Sequence, residues 1–594
     1  MTPRSDGPSL VTPVEPSAPA APAPDEAEPA TATEGPRRDF HLWRHVLVLA
    51  ALLVVLLPLM SPRSAFTSDE GAYALQADAL AEGSWAYDYR ASDLDPDGAA
   101  FPLVLSSRNG DRFYPYVQHP AYPQLLRSLS AVAGTTVGLH LPALTGTVGT
   151  AVAGWLLVGE IDPRLRRRAF WLAALGPVLA NGFLLWAHSL SAAVAGLTLF
   201  AVVRGIRRGP TVAWTAAAGC GAAAGVFLRS EGLLFALALA SVAAGGTWFH
   251  RRGAAPEGRH TRGVAAAGPF VSIAGPAVVA AVVERVWVRS IVGGAYENLE
   301  SRADGAPWLH GRVSAAWHDL FEGPLATGRG ALVSLTLVAA VVALGVLARR
   351  RPSHAPMAIA GGALLATGLT AAVVLADLPT PVSGLLLAWP VALVGLVAVP
   401  WRRLGPTEAL LAVTSAVFAF AVIVTEYPGG GGVQWGGRFF FPVLAPLAVL
   451  AVVGIDRRLA AGSGPDARRA GALIVVAVVA WAAVSLVSVS TLRARHARMT
   501  AAVARHPAPV TITTSGSLPR LSWAEDERIT WMLVDPVSLP GSLSYLRSRG
   551  VIEVAVVTDR FVDRGELALF GRVEEAGEPS LLSRGLDLFV LRTE

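Results

Sequence analysis

The chain has 594 residues, 53% of them hydrophobic and 16% charged, with a mean hydropathy of +0.48. An average soluble protein carries about 25% charged residues, so the composition excludes the string of soluble domains that this length would allow. The net charge of +5 rests on arginine alone, because the 49 basic residues include no lysine, and the single cysteine, Cys220, excludes a disulfide framework and a CxxC metal or redox site.

Residues 1–40 form a Pro/Ala/Glu/Thr-rich tail with almost nothing to bury, expected to be disordered and cytoplasmic. The apolar segment behind it starts too late, and lacks the small-residue cleavage site, to be a secretory signal. From there to residue 490, apolar runs approach the roughly 20 helical residues that cross a hydrocarbon core of about 30 Å. Thirteen spans are expected, near 44–60, 138–158, 169–187, 189–203, 212–228, 231–249, 264–283, 330–348, 358–376, 384–400, 409–425, 439–454 and 470–490. Arginine placement tests that count. With the N-terminus inside, the loops 159–168, 204–211, 250–263, 349–357, 401–408 and 455–469 hold 20 arginines, whereas the short outer loops hold Arg229 and Arg438. This is the bias of the positive-inside rule, and one missed helix would invert it downstream.

The expected fold is therefore an α-helical polytopic membrane protein, N inside and C outside, with a transmembrane domain over 41–490 and a small extracytoplasmic α/β domain over 491–594. Two large outer loops join its spans. Loop 61–137 is acidic, with nine Asp/Glu against five Arg. Loop 284–329, with Tyr296, Trp308 and Trp317, reads as amphipathic helices on the membrane surface. In the C-terminal part, strand-like runs at Val510–Thr514, Val551–Thr558 and Leu586–Leu591 flank a helical stretch around Ser542–Arg549, and 13 arginines balance 13 acids.

Few residues facing outward can carry chemistry. Asp69 and Glu70 stand at the mouth of the first span, and Tyr73, Gln76 and Ala77 share one face of the helix that follows. A carboxylate there can take a proton from an acceptor hydroxyl or ligate a cation; the alternative is that Ser68 or Asp69 caps the helix and Glu70 favours its dipole. Asp93-Leu-Asp-Pro-Asp-Gly98 begins a calcium-loop pattern, but Val104 stands where that loop needs a bidentate Glu, which favours a plain polar turn. Further on come Tyr114-Pro-Tyr-Val-Gln-His-Pro-Ala-Tyr122 and Gly138-Leu-His-Leu-Pro-Ala-Leu-Thr-Gly146.

The order of these motifs, Asp-Glu-x-x-Tyr, Glu-Gly-x-Trp, His-Pro-x-Tyr and Leu-Pro-Ala-Leu-x-Gly, resembles the N-terminal half of GT-C integral-membrane glycosyltransferases. The nearest branch resembles the aminoarabinose transferases and protein O-mannosyltransferases. The resemblance implies a polyprenyl-phosphate sugar as donor, a cell-envelope glycan, lipid or protein as acceptor, and an active site on the outer face of the plasma membrane. It places the family's acidic residue on Asp69, with Glu70 beside it, and its basic residue before proline on His119. Gln118-His119-Pro120-Ala121 replaces the Glu-Lys-Pro-Pro of aminoarabinose transferases, so their metal site is not carried over and a divalent cation is left open.

In the second half, Glu426-Tyr-Pro-Gly-Gly-Gly-Gly-Val-Gln-Trp-Gly-Gly-Arg-Phe-Phe-Phe-Pro442 opens span twelve. Arg438 is suited to a phosphate; the alternative is an arginine snorkelling to lipid headgroups. The Trp-Gly-x-Arg pattern also resembles GT-C relatives, which place such an arginine near the lipid phosphate. Arg229, in Arg229-Ser-Glu231, is a second phosphate candidate or half of a structural ion pair. Tyr73, Tyr122, His188 and Trp435 are the expected substrate-binding residues. No Walker loop, Rossmann fingerprint or basic-aromatic stripe is present, which disfavours nucleotide chemistry inside and nucleic acid as a partner. The rival class is a transporter or lipid flippase, against which stands the lack of inverted repeats; a third is a scaffold that has lost activity.

Overall fold

A computed structural model describes residues 39–103, 106–115, 118–254, 259–293, 308–322, 328–376, 381–425, 434–462, 464–506, 508–559, 567–568, 571–575 and 586–592. The expected disordered tail up to residue 38, Tyr296 and the glycine run before Gln434 lie outside them.

In chain order the helices begin with α1 (Asp39–Leu56), α2 (Ser68–Ala81), α3 (Ala121–Ala133), α4 (Thr135–Gly159), α5 (Arg166–Ala174), α6 (Pro177–Asn181) and α7 (His188–Arg208). There follow α8 (Val212–Leu228), α9 (Glu231–Ala254), α10 (Arg259–Val292), α11 (Trp308–Phe321), α12 (Gly328–Arg350), α13 (Ala355–Ala376), α14 (Pro390–Ala398) and α15 (Pro406–Thr425). Last come α16 (Leu444–Ala460), α17 (Pro465–Ala504), α18 (Leu518–Leu521) and α19 (Leu539–Ser548). Among the described residues nine helical segments are long and apolar enough to cross a membrane. The molecule is thus mostly helical and built as a multi-pass membrane protein.

Two apolar stretches expected as single spans are broken instead. Over 169–187, α5 stops at Ala174 and a short α6 restarts at Pro177, because proline has no N–H to continue the ladder. Over 384–400, only α14 is helical. The two breaks meet. A side chain at Gly176 would strike the Trp389 ring at 2.8 Å, and one at Gly436 would strike Pro177 at 2.6 Å. Gly436 and Gly437 donate to Val382 and Ser383 carbonyls at 2.8 and 2.6 Å, and Asn181 donates to the Trp435 carbonyl at 3.0 Å. Trp481 of α17 closes this layer by donating to the Ala388 carbonyl at 2.6 Å. Irregular backbone at membrane depth is stable only when protein buries it and satisfies its polar groups, and these bonds do so.

The 40-residue α17 continues without a break past residue 490, the expected edge of the C-terminal part. Its end packs Met499 and Val503 against Leu518, Trp531, Ala555 and Leu588. The strands there are β3 (Val510–Thr513), β4 (Trp531–Leu533), β5 (Glu553–Asp559), β6 (Arg572–Glu575) and β7 (Leu586–Arg592), after the hairpin β1 (Ser107–Asn109) and β2 (Arg112–Tyr114) of the first loop. The five-stranded sheet has the order β4-β3-β5-β7-β6, with β3 parallel to β4 and β5, and β7 antiparallel to β5 and β6. β4 and β6, too short to alternate visibly, were not legible as strands.

The first loop lies on this C-terminal segment. Tyr87 donates to Asp526 at 2.7 Å, Arg90 to the Asp526 carbonyl at 2.7 Å, and Leu533 N–H to the Ala100 carbonyl at 2.8 Å. Asp95, from the calcium-like run, accepts from Tyr89 and from the backbone of Ala99 and Ala100, and so works as a turn former.

Candidate functional site

α2 starts where Thr67 leaves the extended region, so Thr67, and neither Ser68 nor Asp69, is its N-cap. Successive helix positions diverge by about 100°, and Asp69 and Glu70 part company accordingly. Glu70 turns inward and is fully buried. One of its oxygens accepts from the backbone of Phe66 at 2.6 Å and Thr67 at 3.1 Å, the other from Leu185 at 2.8 Å, and Arg493 of α17 stands 4.0 Å away. Arg493 also binds the carbonyls of Phe183 and Ser64. Glu70, expected to be catalytic with Asp69, ties the first loop to α17 and to the segment before α7.

Asp69 turns the other way and keeps 31% of its side chain exposed. Its Oδ2 accepts from Arg438 Nη1 at 2.6 Å, and its Oδ1 lies 3.9 Å from Arg520 Nη1. Burial works against ionisation of this carboxyl, but Arg438, Arg520 and Arg229 outweigh it and hold Asp69 below the ordinary carboxylate value of about 3.9. A depressed carboxylate stabilises the fold above the unfolded-state pKa, and the contribution fades as pH falls through the lower folded value. The measurable consequence is a loss of thermal stability on acidification that Asp69→Asn should make shallower.

Arg438 is carried by a 3-10 turn over Arg438–Val443, entered through Gly437 at φ 62. Side chains rarely adopt that conformation, and a Cβ there would also meet the Asp319 carbonyl at 2.4 Å, so the position requires glycine. The guanidinium lies 5.1 Å from the Trp186 ring and 5.0 Å from the Phe439 ring, cation–π distances on a desolvated charge. Its backbone N–H donates to Gln434 Oε1 at 2.9 Å, and Gln434 Nε2 donates to Asp319 of α11 at 2.5 Å.

Arg229 closes α8 and makes a two-pronged bond to Glu231, at 3.1 and 2.9 Å, with its guanidinium 6.0 Å from the Phe439 ring. The structural ion pair and the site location therefore hold together: Arg229 is paired, and it also faces the Tyr73 phenol and Asp69. Tyr73 meets Tyr122 edge to face at 5.1 Å. His188, at the start of α7, packs against Trp186 at 4.9 Å and lies within electrostatic reach of Arg229, Arg438 and His119. Among the described residues, both ring nitrogens of His188, the Tyr122 hydroxyl, the Ser189 hydroxyl and the Trp186 indole N–H are buried with no hydrogen-bond partner. Buried polar groups are ordinarily satisfied, and this concentration makes the surroundings of His188 the candidate polar site.

Two expected residues are placed differently. His119 sits in the left-handed region at φ 55, accepts the Ser230 N–H on Nε2 at 3.2 Å, and turns Nδ1 to Glu284 of α10 at 2.5 Å. These contacts set the imidazole between α10 and the α8–α9 corner. Trp435 is fully buried and stacked on Trp481 at 6.3 Å, in the irregular layer that supports Arg438. Sequence reading missed Arg520, Gln434 and Glu284. Among the described residues no group of three His, Cys, Asp or Glu is arranged to hold a metal ion.

No family model and no curated relative matches the sequence. Solved structures to which the chain is similar include ArnT from Cupriavidus metallidurans in the apo state, at 14% identity and a TM-score of 0.49, covering 93% of this chain and 98% of that one. The same protein bound to undecaprenyl phosphate matches at 12% identity and 0.44, covering 92% and 97%. The archaeal oligosaccharyltransferase AglB from Archaeoglobus fulgidus, in complex with an inhibitory peptide and a dolichol-phosphate, matches at 15% identity and 0.45, covering 88% and 70%.

Proposed function

We propose that the chain is a membrane glycosyltransferase of the GT-C type, moving a sugar from a polyprenyl-phosphate donor to a cell-envelope acceptor on the outer face of the plasma membrane. One observation carries this reading: Asp69 of the first loop and Arg438, 369 positions later, meet at 2.6 Å beside Arg229 and His188, whose nitrogens have no hydrogen-bond partner among the described residues. The motif resemblance and the arginine bias, which supports thirteen spans with N inside and C outside, agree with it.

In this mechanism the donor phosphodiester binds Arg438, with Arg229 and His188 beside it. Competition for the guanidinium loosens the Asp69–Arg438 pair and frees a carboxylate oxygen for the acceptor hydroxyl. As the acceptor oxygen bonds to the anomeric carbon, its proton passes to Asp69. The bond between that carbon and the phosphate oxygen breaks, and polyprenyl phosphate leaves with the electron pair, its new charge held by the arginines. Attack from the face opposite the leaving group inverts the anomeric centre.

Titration of membranes with a panel of polyprenyl-phosphate sugars tests the reading. Arg438→Ala is expected to weaken apparent donor affinity about 10- to 100-fold, the worth of a charge-assisted hydrogen bond of roughly 1.5–3 kcal/mol. An unchanged donor titration removes Arg438 from the site, and wild type that moves lipid without transferring sugar supports the flippase class instead. His188→Phe, which breaks no side-chain hydrogen bond among the described residues, is expected to keep the melting temperature and to lose about tenfold in donor or acceptor affinity.

A further inference from the structure

The C-terminal segment reaches the site through one narrow fit. α18 lies backbone to backbone on α2, and a Cβ added to Gly71 would sit 1.6 Å from the Arg520 carbonyl oxygen. No side chain can be accommodated there without displacing α18. The close approach brings the Arg520 side chain, only 7% exposed, over Asp69, where its Nη1 stands 3.9 Å from Oδ1. The two guanidiniums therefore address different oxygens of one carboxylate, Arg438 in tight contact and Arg520 at a distance.

Both guanidiniums face this one carboxylate, and a donor phosphodiester would compete with it for Arg438. When the phosphate takes Arg438, Asp69 loses its close partner. An unpaired carboxylate in a partly desolvated place would take up a proton and cease to be a base. Arg520 is already beside its other oxygen.

We propose that Arg520 is a positioning residue: it holds Asp69 ionised and aimed at the acceptor hydroxyl once the donor phosphate has engaged Arg438. The inference rests on the transferase reading for its role in turnover, though the contact itself can be tested without it. The charged and titratable groups facing Asp69 are Arg438 from the 3-10 turn, Arg520 from α18, Arg229 from the α8–α9 corner, and Tyr73 on α2 itself. The shared arginine field makes removal of Arg520 consequential chiefly when Arg438 is occupied or absent.

The experiment reads the pH midpoint at which a water-soluble carbodiimide labels Asp69 in the full-length, detergent-solubilised chain, scored by peptide mass spectrometry. It is run with and without undecaprenyl monophosphate. In wild type the midpoint is expected to stay below the ordinary carboxylate value in both conditions. In Arg520→Gln it is expected to rise by about one unit or more with the phosphate present, and Arg520→Lys should restore most of the difference. Arg438→Ala and the double variant Arg438→Ala/Arg520→Gln repeat the comparison without lipid, and the double variant should label at the higher pH. Equal midpoints in that last pair overturn the proposal whatever the enzyme's reaction. A midpoint in the single variant that ignores the phosphate overturns it when wild type binds the lipid. Failure of wild type to bind or transfer from any lipid donor instead overturns the parent reading. In turnover, Arg520→Gln should lower kcat about tenfold and move its acid limb upward with donor KM unchanged, and Gly71→Ala should reproduce that pattern without removing a charge. A weakened donor KM with an unmoved acid limb would make Arg520 a phosphate ligand and reject the positioning role.

Discussion

An Asp69→Asn chain is expected to accumulate in the membrane like wild type and to transfer sugar about 1,000-fold more slowly, within the roughly 100- to 10,000-fold range of a lost general base. Asparagine keeps the shape and can still accept from Arg438 through its carbonyl, but it cannot take the acceptor proton. The same change strips three guanidiniums of a counter-charge, so donor affinity should hold or tighten while kcat collapses. This split separates a base from a docking residue. Transfer at the wild-type rate would remove Asp69 from the reaction; loss of donor affinity in step with kcat would move it to the binding site.

Glu70, one residue later, should respond in the opposite currency. Glu70→Ala leaves three backbone N–H groups without their acceptor and the Arg493 guanidinium without its counter-charge in a fully buried place. Breaking such a buried pair costs about 3–5 kcal/mol, a large part of the 5–15 kcal/mol by which a typical domain is stable. The expected result is little or no folded protein on size exclusion, before activity is asked about. Glu70→Gln keeps the volume but turns an amide donor toward a backbone donor, and should fold with a lowered melting temperature. A Glu70→Ala protein that folds normally and is merely slow would return Glu70 to the chemistry.

The neighbouring carboxylates show what sequence could and could not convey. Both are acidic residues in the same loop, and nothing in their order says which faces out; the phase of α2 decides it, and that phase depends on where Thr67 starts the helix. Arg438 and Arg229 were legible because a charge among apolar residues is rare. Arg520 was not, because the C-terminal segment balances its charges and one arginine there looks like any other. The breaks at Gly176-Pro177 and before Pro390 were hidden for a different reason. Averaging hydropathy over about 19 residues reports burial, and these segments are buried whether helical or not. His119 drew notice by standing before Pro120, but its partner Glu284 lies in α10 beyond the expected end of that span at residue 283, so its contact between α10 and the α8–α9 corner was invisible.

The Gly71–Arg520 fit also sets a timetable. Of the arginines around Asp69, Arg520 is the last to leave the ribosome, some 80 positions after Arg438, which at about 5–20 residues per second is a delay of several seconds. The spans of the membrane bundle that precede it are synthesised first. A chain still being made therefore holds Asp69 and Arg438 without the helix that seats on α2. On the proposed transferase reading, a nascent or truncated chain lacking α18 would bind lipid donor before Asp69 had both of its arginines.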